Sequence, residues 1–198
     1  MQYIVHRVNE VNWSDIPCAE IESYTWGSEY TPRAYAQLAM VNGKGFALKM
    51  TAFERDPLVR YHNYGDPVYT DSCLEFFVSF SNHSPLYMNF EMNSAGAYLS
   101  AVRTERKNKT PIDRLTDTMP KVTAGKADGA WTVEALFSFK TVRDLFGDCP
   151  FGNGYIFRGN FYKCGDETAV PHFGSWSPVL CEKPDFHRPE YFGTFIIE

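Results

Sequence analysis

The sequence predicts an all-β protein, an antiparallel β-sandwich of jelly-roll-like build. Three observations predict it. Short runs of alternating apolar and polar residues recur along the chain, Gly, Pro, Asn and Asp break them at close intervals, and helical periodicity is nearly absent. The 198 residues suit one domain, 1–198, large enough to bury a substantial core.

The elements follow in chain order. RAYAQLAMV (33–41) fits a strand or a turn of helix equally. GFALKMTAFE (45–54) sets Phe46, Leu48, Met50 and Ala52 against Ala47, Lys49 and Thr51, the period of a strand. VYTDSCLEFFVSF (68–80) reads as a strand with Leu74, Phe76, Val78 and Phe80 on the core face. Cys73, Glu75, Phe77 and Ser79 then share the opposite face. In LYMNFEMN (86–93), Met88, Phe90 and Met92 oppose Tyr87, Asn89, Glu91 and Asn93; NSAG then turns the chain into AYLSAVR (97–103). KVTA (121–124) and WTVEALFSF (131–139) flank GKADGA, a hairpin loop. KTVRDLFG (140–147) predicts a short helix stopped by Gly147. GYIFRGNFYK (154–163) puts Arg158, Asn160 and Tyr162 opposite Phe157 and Phe161, and EYFGTFIIE closes the chain.

Composition narrows the function. Net charge is −5, which argues against nucleic acid and against an anionic membrane surface as partners. No run approaches the roughly 20 apolar residues of a membrane span, and MQYIVHRVNEV has no apolar core of a secretory signal. The five cysteines (Cys18, Cys73, Cys149, Cys164, Cys181) are odd in number and form no CxxC, so reduced thiols and a cytoplasmic location are expected. The one basic cluster, RTERKNK (103–109), reads as a solvated loop.

Aromatics make up 16% of the chain, high for a soluble protein, and must sit either in a large core or on a surface that uses them. Three strands each carry a face mixing carboxylate, amide, guanidinium and phenol. Such a face is either the wet side of an ordinary sheet or a binding surface. A sugar presents hydroxyls around its ring and an apolar face of C–H groups. A site for it needs flat aromatics beside planar groups that each hold two hydroxyls. Tyr69, Glu75, Glu91, Asn93, Arg158, Asn160 and Trp176 are of those types. Trp176, between Gly174 and Pro178, is either an exposed loop aromatic or a lid on the core.

Other chemistries are weaker. Glu75 and Glu91 on adjacent strands form a candidate glycosidase pair. Asp56, Asn63, Asp66 and Asp71 are oxygen donors in a turn-rich segment, candidates for Ca2+ without an EF-hand pattern. The histidines show no HxH or HExxH spacing, and no phosphate loop or GxSxG elbow is present. A haem-type redox domain would need axial ligands, and Met88 and Met92 have no histidine placed beside them.

VYTDSCLEFFVSF, with its aromatic, Asp, Glu and Phe in order, resembles a strand of the family 9 carbohydrate-binding modules. So do YMNFEMNSAG, RGNFYKCGD, PHFGSWSPV and FHRPEYFGTFII, in that order, from about Tyr30 to the end. The resemblance implies a carbohydrate-binding β-sandwich whose partner is a small saccharide or glycan end, clamped between two aromatics. By position, Tyr69 stands for the first aromatic and Trp176 for the second. Glu75 stands for the strand carboxylate, and Arg158 or Asn160 for the later polar contacts. His172 takes the place of an amide the family carries near the tryptophan, and Tyr69 stands where Trp is usual. The family often binds Ca2+, which the resemblance implies without indicating ligands.

Overall fold

A computed structural model of the chain describes residues 1–127 and 129–198. In order, the strands are β1 (Gln2–Val8), β2 (Ala19–Glu20), β3 (Ala34–Val41), β4 (Gly45–Ala52), β5 (Cys73–Ser79), β6 (Tyr87–Asn93) and β7 (Tyr98–Arg103). They continue as β8 (Lys109–Pro111), β9 (Lys121–Ala127), β10 (Ala130–Ser138), β11 (Ile156–Gly165), β12 (His172–Ser175) and β13 (Gly193–Ile197). Among the described residues one α-helix, α1 (Phe139–Phe146), joins β10 to β11.

The strands follow the path β8-β7-β6-β5-β11-β13-β1-β3-β4-β10-β9, with β12 against β11 and β2 against β3. β1 is the hinge of the sandwich. Gln2–Val5 runs parallel to β13 in one sheet, and His6–Val8 runs parallel to β3 in the other. All other pairings between strands are antiparallel. The residues left undecided at 33–41 are therefore strand β3, hydrogen-bonded along its length to β4.

Period two places the core as the alternation predicts. Leu74, Phe76, Val78, Phe80, Met88, Phe90, Met92, Phe157 and Phe161 meet Phe46, Leu48, Met50, Trp131, Val133 and Phe137 between the sheets. Ring contacts cross the layer, with Phe46 4.7 Å from Phe80 and Phe90 4.8 Å from Phe137. Each fully buried Phe contributes about 1.5–3 kcal/mol. The helix caps one end of this core. The Ser138 hydroxyl accepts from the Thr141 amide, and Gly147, at a φ of +77°, ends the helix. β9 extends to Ala127, beyond the predicted KVTA and into the predicted hairpin loop, and Asp128 of that loop lies outside the described residues.

Two expectations need correction. Residues 68–80 are not one strand. Val68–Thr70 is a turn of 3-10 helix and the strand starts at Cys73, because Pro67 brings no N–H and its carbonyl accepts from both the Thr70 amide and the Thr70 hydroxyl. The outer face of β5, β6 and β11 is also not an open wet face. A second apolar cluster covers much of it, with Phe77, Tyr87 and Tyr162 packed under Val68, Val179, Phe186 and Phe192. Among the described residues, no helix is long and apolar enough to cross a membrane.

Candidate functional site

The part of that face left uncovered forms a pocket. Register fixes its floor. Glu75 on β5 lies directly opposite Glu91 on β6 and Tyr162 on β11. Cys73 lies opposite Asn93 and Cys164, and Cys164 lies opposite Phe173 on β12. Above them opens a cavity of about 280 Å3 walled by Tyr69, Phe77, Phe173, Phe186 and His187. Arg103, Arg106, Lys109, Asp166 and Asp185 also line it. That volume sits at the small end of ligand pockets, which suits one end of a small molecule more than the length of a polymer.

The polar floor is ordered by side-chain hydrogen bonds. The Arg103 Nε donates to Asn89 Oδ1 at 2.6 Å, and Asn89 Nδ2 donates to Glu91 Oε1 at 2.9 Å. The Cys164 thiol donates to Glu75 Oε1 at 2.9 Å. Glu91 Oε2 is buried and has no partner among the described residues, so it is an acceptor without a donor. Burial, with the neighbouring Cys164 and Glu91, pushes Glu75 well above the usual carboxylate range. Burial pushes Glu91 up to about 7, against the lowering effect of Asn89 and Arg103. Asp166 rises to about 6 through burial and then the Glu167 charge.

His187 lies in the wall, its ring 5.0 Å from Phe77 and its Nδ1 3.1 Å from the Tyr87 hydroxyl. Burial, then the cations Arg103, Arg106 and Lys109, lower it to about 3. The folded state therefore prefers neutral His187, while the unfolded chain takes up a proton near pH 6.5. The stability it contributes is complete above pH 6.5 and is lost as pH falls toward 3, by at most about 1.4 kcal/mol per pH unit. The stability advantage of the wild type over His187→Gln should shrink steadily across that window in urea melts. A gap that stays constant would show that His187 keeps its proton equilibrium on folding.

Of the residues singled out from the sequence, Tyr69, Glu75 and Glu91 line the pocket. Tyr69 is 39% exposed, whereas Glu75 is only 3% exposed, so its carboxylate lies outside the core but at the bottom of a cavity. Trp176 does not face the pocket. It is 5% exposed and packs into the core against Tyr3, Phe161 and Phe195, its ring resting on Gly193 where no Cβ fits. Asn160 is buried beneath the same loop, its Oδ1 accepting from the Ser177 amide and its Nδ2 donating to the Ser177 carbonyl. Asn93 donates to Asp71 and the Tyr61 carbonyl and accepts from the Ala95 and Ala97 amides, so it braces a turn. Arg158 reaches out to the Phe192 carbonyl, away from the cavity.

His172 is also on the core side. Its Nε2 faces the Lys163 ammonium at 2.7 Å and its Nδ1 faces the Val170 carbonyl at 2.9 Å. Burial and the Lys163 charge hold it down at about 4. RTERKNK corrects in the other direction, since Arg103, Arg106 and Lys109 line the pocket and Arg106 pairs with Asp185 at 3.2 Å. Phe173 and Phe186 are the aromatic walls the sequence reading missed, although the alternation of HFGS places Phe173 on the face opposite His172.

Of the oxygen donors considered for Ca2+, Asp71 is already committed to other partners. Asp71 accepts from the Arg60 Nε, the Arg60 and Tyr61 amides and the Asn93 amide, so a guanidinium already sits at its carboxylate. Asp66 caps the His62 and Asn63 amides. Both Asp71 oxygens and Asp66 Oδ2 are therefore already engaged by donors of the protein.

The family model described as Carbohydrate-binding family 9 matches residues 5–197. The crystal structure of a "putative carbohydrate-binding protein" from Bacteroides uniformis ATCC 8492 aligns over 100% of this chain and 99% of that one, at 25% identity and a TM-score of 0.82. A family 9 module from Caldicellulosiruptor kristjanssonii, in complex with cellotriose, aligns over 100% of this chain and 94% of that one at 12% identity and a TM-score of 0.69. The same description in complex with glucose aligns at 13% identity and a TM-score of 0.62, over 100% of this chain and 96% of that one, and shows the fold alone. No curated protein matches the chain.

Proposed function

The chain belongs to carbohydrate-binding family 9, and from that premise we propose that its pocket binds the end of a saccharide without cleaving it. Tyr69 offers one stacking face and Phe173 the other, in place of Trp176. Glu91 and Glu75 hold sugar hydroxyls on the floor, and Arg103 keeps Glu91 oriented through Asn89. The observation that carries this reading is the convergence of exposed Tyr69 and the unpartnered Glu91 Oε2 on one cavity. A buried acceptor without a donor is costly, and a sugar hydroxyl supplies the donor. The Caldicellulosiruptor kristjanssonii modules hold cellotriose and glucose, which makes gluco-configured ends the first ligands to try.

Hydrolysis by Glu75 and Glu91 is the competing reading. The two carboxylates are cross-strand neighbours, rising side by side from one sheet. Glycosidases need carboxylates that flank the scissile bond, one protonating the leaving oxygen and the other approaching the sugar carbon. Two neighbours on one floor, one of them bonded to Cys164, suit holding a ring more than flanking it.

Calorimetric titration with glucose, cellobiose and xylose tests the reading. Binding is expected in the wild type, with a loss of about 1–3 kcal/mol in Tyr69→Ala, the scale of one aromatic contact. Trp176→Phe should keep affinity. No binding across a broad sugar panel, or loss in Trp176→Phe with Tyr69→Ala unaffected, would overturn it. Turnover of an aryl glycoside that disappears in Glu75→Gln would favour hydrolysis instead.

A further inference from the structure

We propose that Cys73, Cys164 and Glu75 form a binding site for a thiophilic divalent cation of the zinc(II) class, its open coordination position facing the cavity. The proposal does not rest on saccharide binding. One ligand atom from each residue lies within 4.8 Å of the other two, and all three residues are buried. Register produces this convergence. Cys73 and Cys164 are directly opposed across β5 and β11, and Glu75 follows Cys73 by two residues on the same face. Three ligands thus stand on two adjacent strands, a rigid base for a metal.

The distances are close to what a metal needs. Around a tetrahedral zinc, with Zn–S of about 2.3 Å and Zn–O of about 2.0 Å, sulfur and oxygen sit about 3.5 Å apart. Cys164 Sγ and Glu75 Oε1 are 2.9 Å apart, so a small side-chain rotation opens the site. Two sulfurs select zinc or its soft relatives over Ca2+ and Mg2+, which take oxygen. On binding, each thiol and the Glu75 carboxyl give their protons to solvent, and two thiolates with one carboxylate hold the dication. The single excess negative charge faces Arg103, Arg106 and Lys109 in the cavity lining. Glu75 and Cys164 open onto the cavity, which leaves a fourth position for water or a ligand hydroxyl. Glu91, the cross-strand neighbour of Glu75, has its free Oε2 to accept from that group. Ordinary packing of buried thiols does not by itself bring a carboxylate oxygen against them.

The test uses the full chain carrying Cys18→Ser, Cys149→Ser and Cys181→Ser, which removes the competing thiols, under a non-thiol reductant that keeps the opposed pair from closing into a disulfide. Zinc(II) titrated calorimetrically, without saccharide, should bind with one equivalent. Cobalt(II) should give thiolate-to-cobalt charge-transfer absorption, cut to about half or less in Cys164→Ser, which leaves one thiolate, and kept in Glu75→Gln with weaker binding. Cadmium NMR counts sulfur ligands in the same background and needs no further variant, so it decides the case even if Cys164→Ser does not fold. Two sulfurs support the site. No saturable zinc binding, saturable binding without the charge-transfer band, a band undiminished in Cys164→Ser, or a cadmium shift without sulfur would each overturn it.

Discussion

Lys163→Met should cost about 3–5 kcal/mol of stability, which for a chain of this size lowers Tm by roughly 10 °C. Lys163 lies on β11 facing into the sandwich, with its side chain fully buried. Its ammonium makes three contacts, to Glu54 Oε2 at 3.2 Å, His172 Nε2 at 2.7 Å and the Cys164 carbonyl at 2.9 Å. Glu54 in turn accepts from Trp131 Nε1 on β10 at 3.0 Å and from the Ser72 hydroxyl. The cluster therefore ties the two sheets together through one buried charge pair. Removing the ammonium leaves a carboxylate in an apolar layer with too few donors, and the unpaired charge dominates the cost. The companion variant separates that penalty from lost packing. Lys163→Met combined with Glu54→Gln removes both charges and should recover most of the loss, because a buried ion pair contributes little beyond a neutral replacement. Urea melts of the wild type and these two variants measure this. A single-variant loss below about 1 kcal/mol, or a double variant no better than the single, would show that the pair does not hold the sheets.

The reach of the sequence is clear from that cluster and from the pocket. Alternation depends on nearest neighbours, so CLEFFVSF, YMNFEMN and IFRGNFYK reveal which side chains face the core. Their inward residues are the ones buried between the sheets. Lys163 follows the same alternation inward, but nothing local shows that Glu54, more than a hundred residues away, waits there to pair with it. Trp176 failed for a related reason. Gly174 and Pro178 make its segment look like a loop, yet β12 pairs with β11 through Ser175, and the alternation continues one residue further to turn Trp176 inward. With that strand register, Phe173 faces the pocket and Trp176 cannot. The cover of the site is less legible still. Segments 53–72 and 166–192 fold over β5, β6 and β11 through contacts distant in sequence, such as Arg106 to Asp185 and Trp26 Nε1 to the Cys181 carbonyl. RTERKNK reads as a solvated turn until that cover is present.

Asp71→Ala should cost about 3–4 kcal/mol and remove saccharide affinity from the molecules that stay folded. Asp71 is fully buried at the entry to β5. Its Oδ2 accepts from the Arg60 amide at 3.0 Å, the Tyr61 amide at 3.2 Å and Asn93 Nδ2 at 3.0 Å, while Oδ1 accepts from Arg60 Nε at 3.1 Å. Arg60 also donates to the Thr70 carbonyl at 3.1 Å, and Asn93 holds the amides of the turn after β6. One carboxylate thus joins the covering segment, that turn and the 3-10 turn that carries Tyr69. Without it two backbone amides and a side-chain amide lose their acceptor in a dry place, whereas half-exposed Arg60 regains water. The energetic loss is therefore smaller than four independent charged hydrogen bonds would give. On the proposed reading the functional loss is larger than the energetic one, because Tyr69 stands on the freed turn and the stacking face proposed for it must be held in place. Asp66→Ala is the contrast. Asp66 caps two amides at the surface of the same segment, and its loss should cost far less than that of Asp71, with affinity kept. Urea melts and calorimetry at low temperature, where both variants remain folded, measure the two effects together. If Asp71→Ala unfolds more easily yet binds saccharide as the wild type does, the carboxylate braces the fold and Tyr69 is placed by something else.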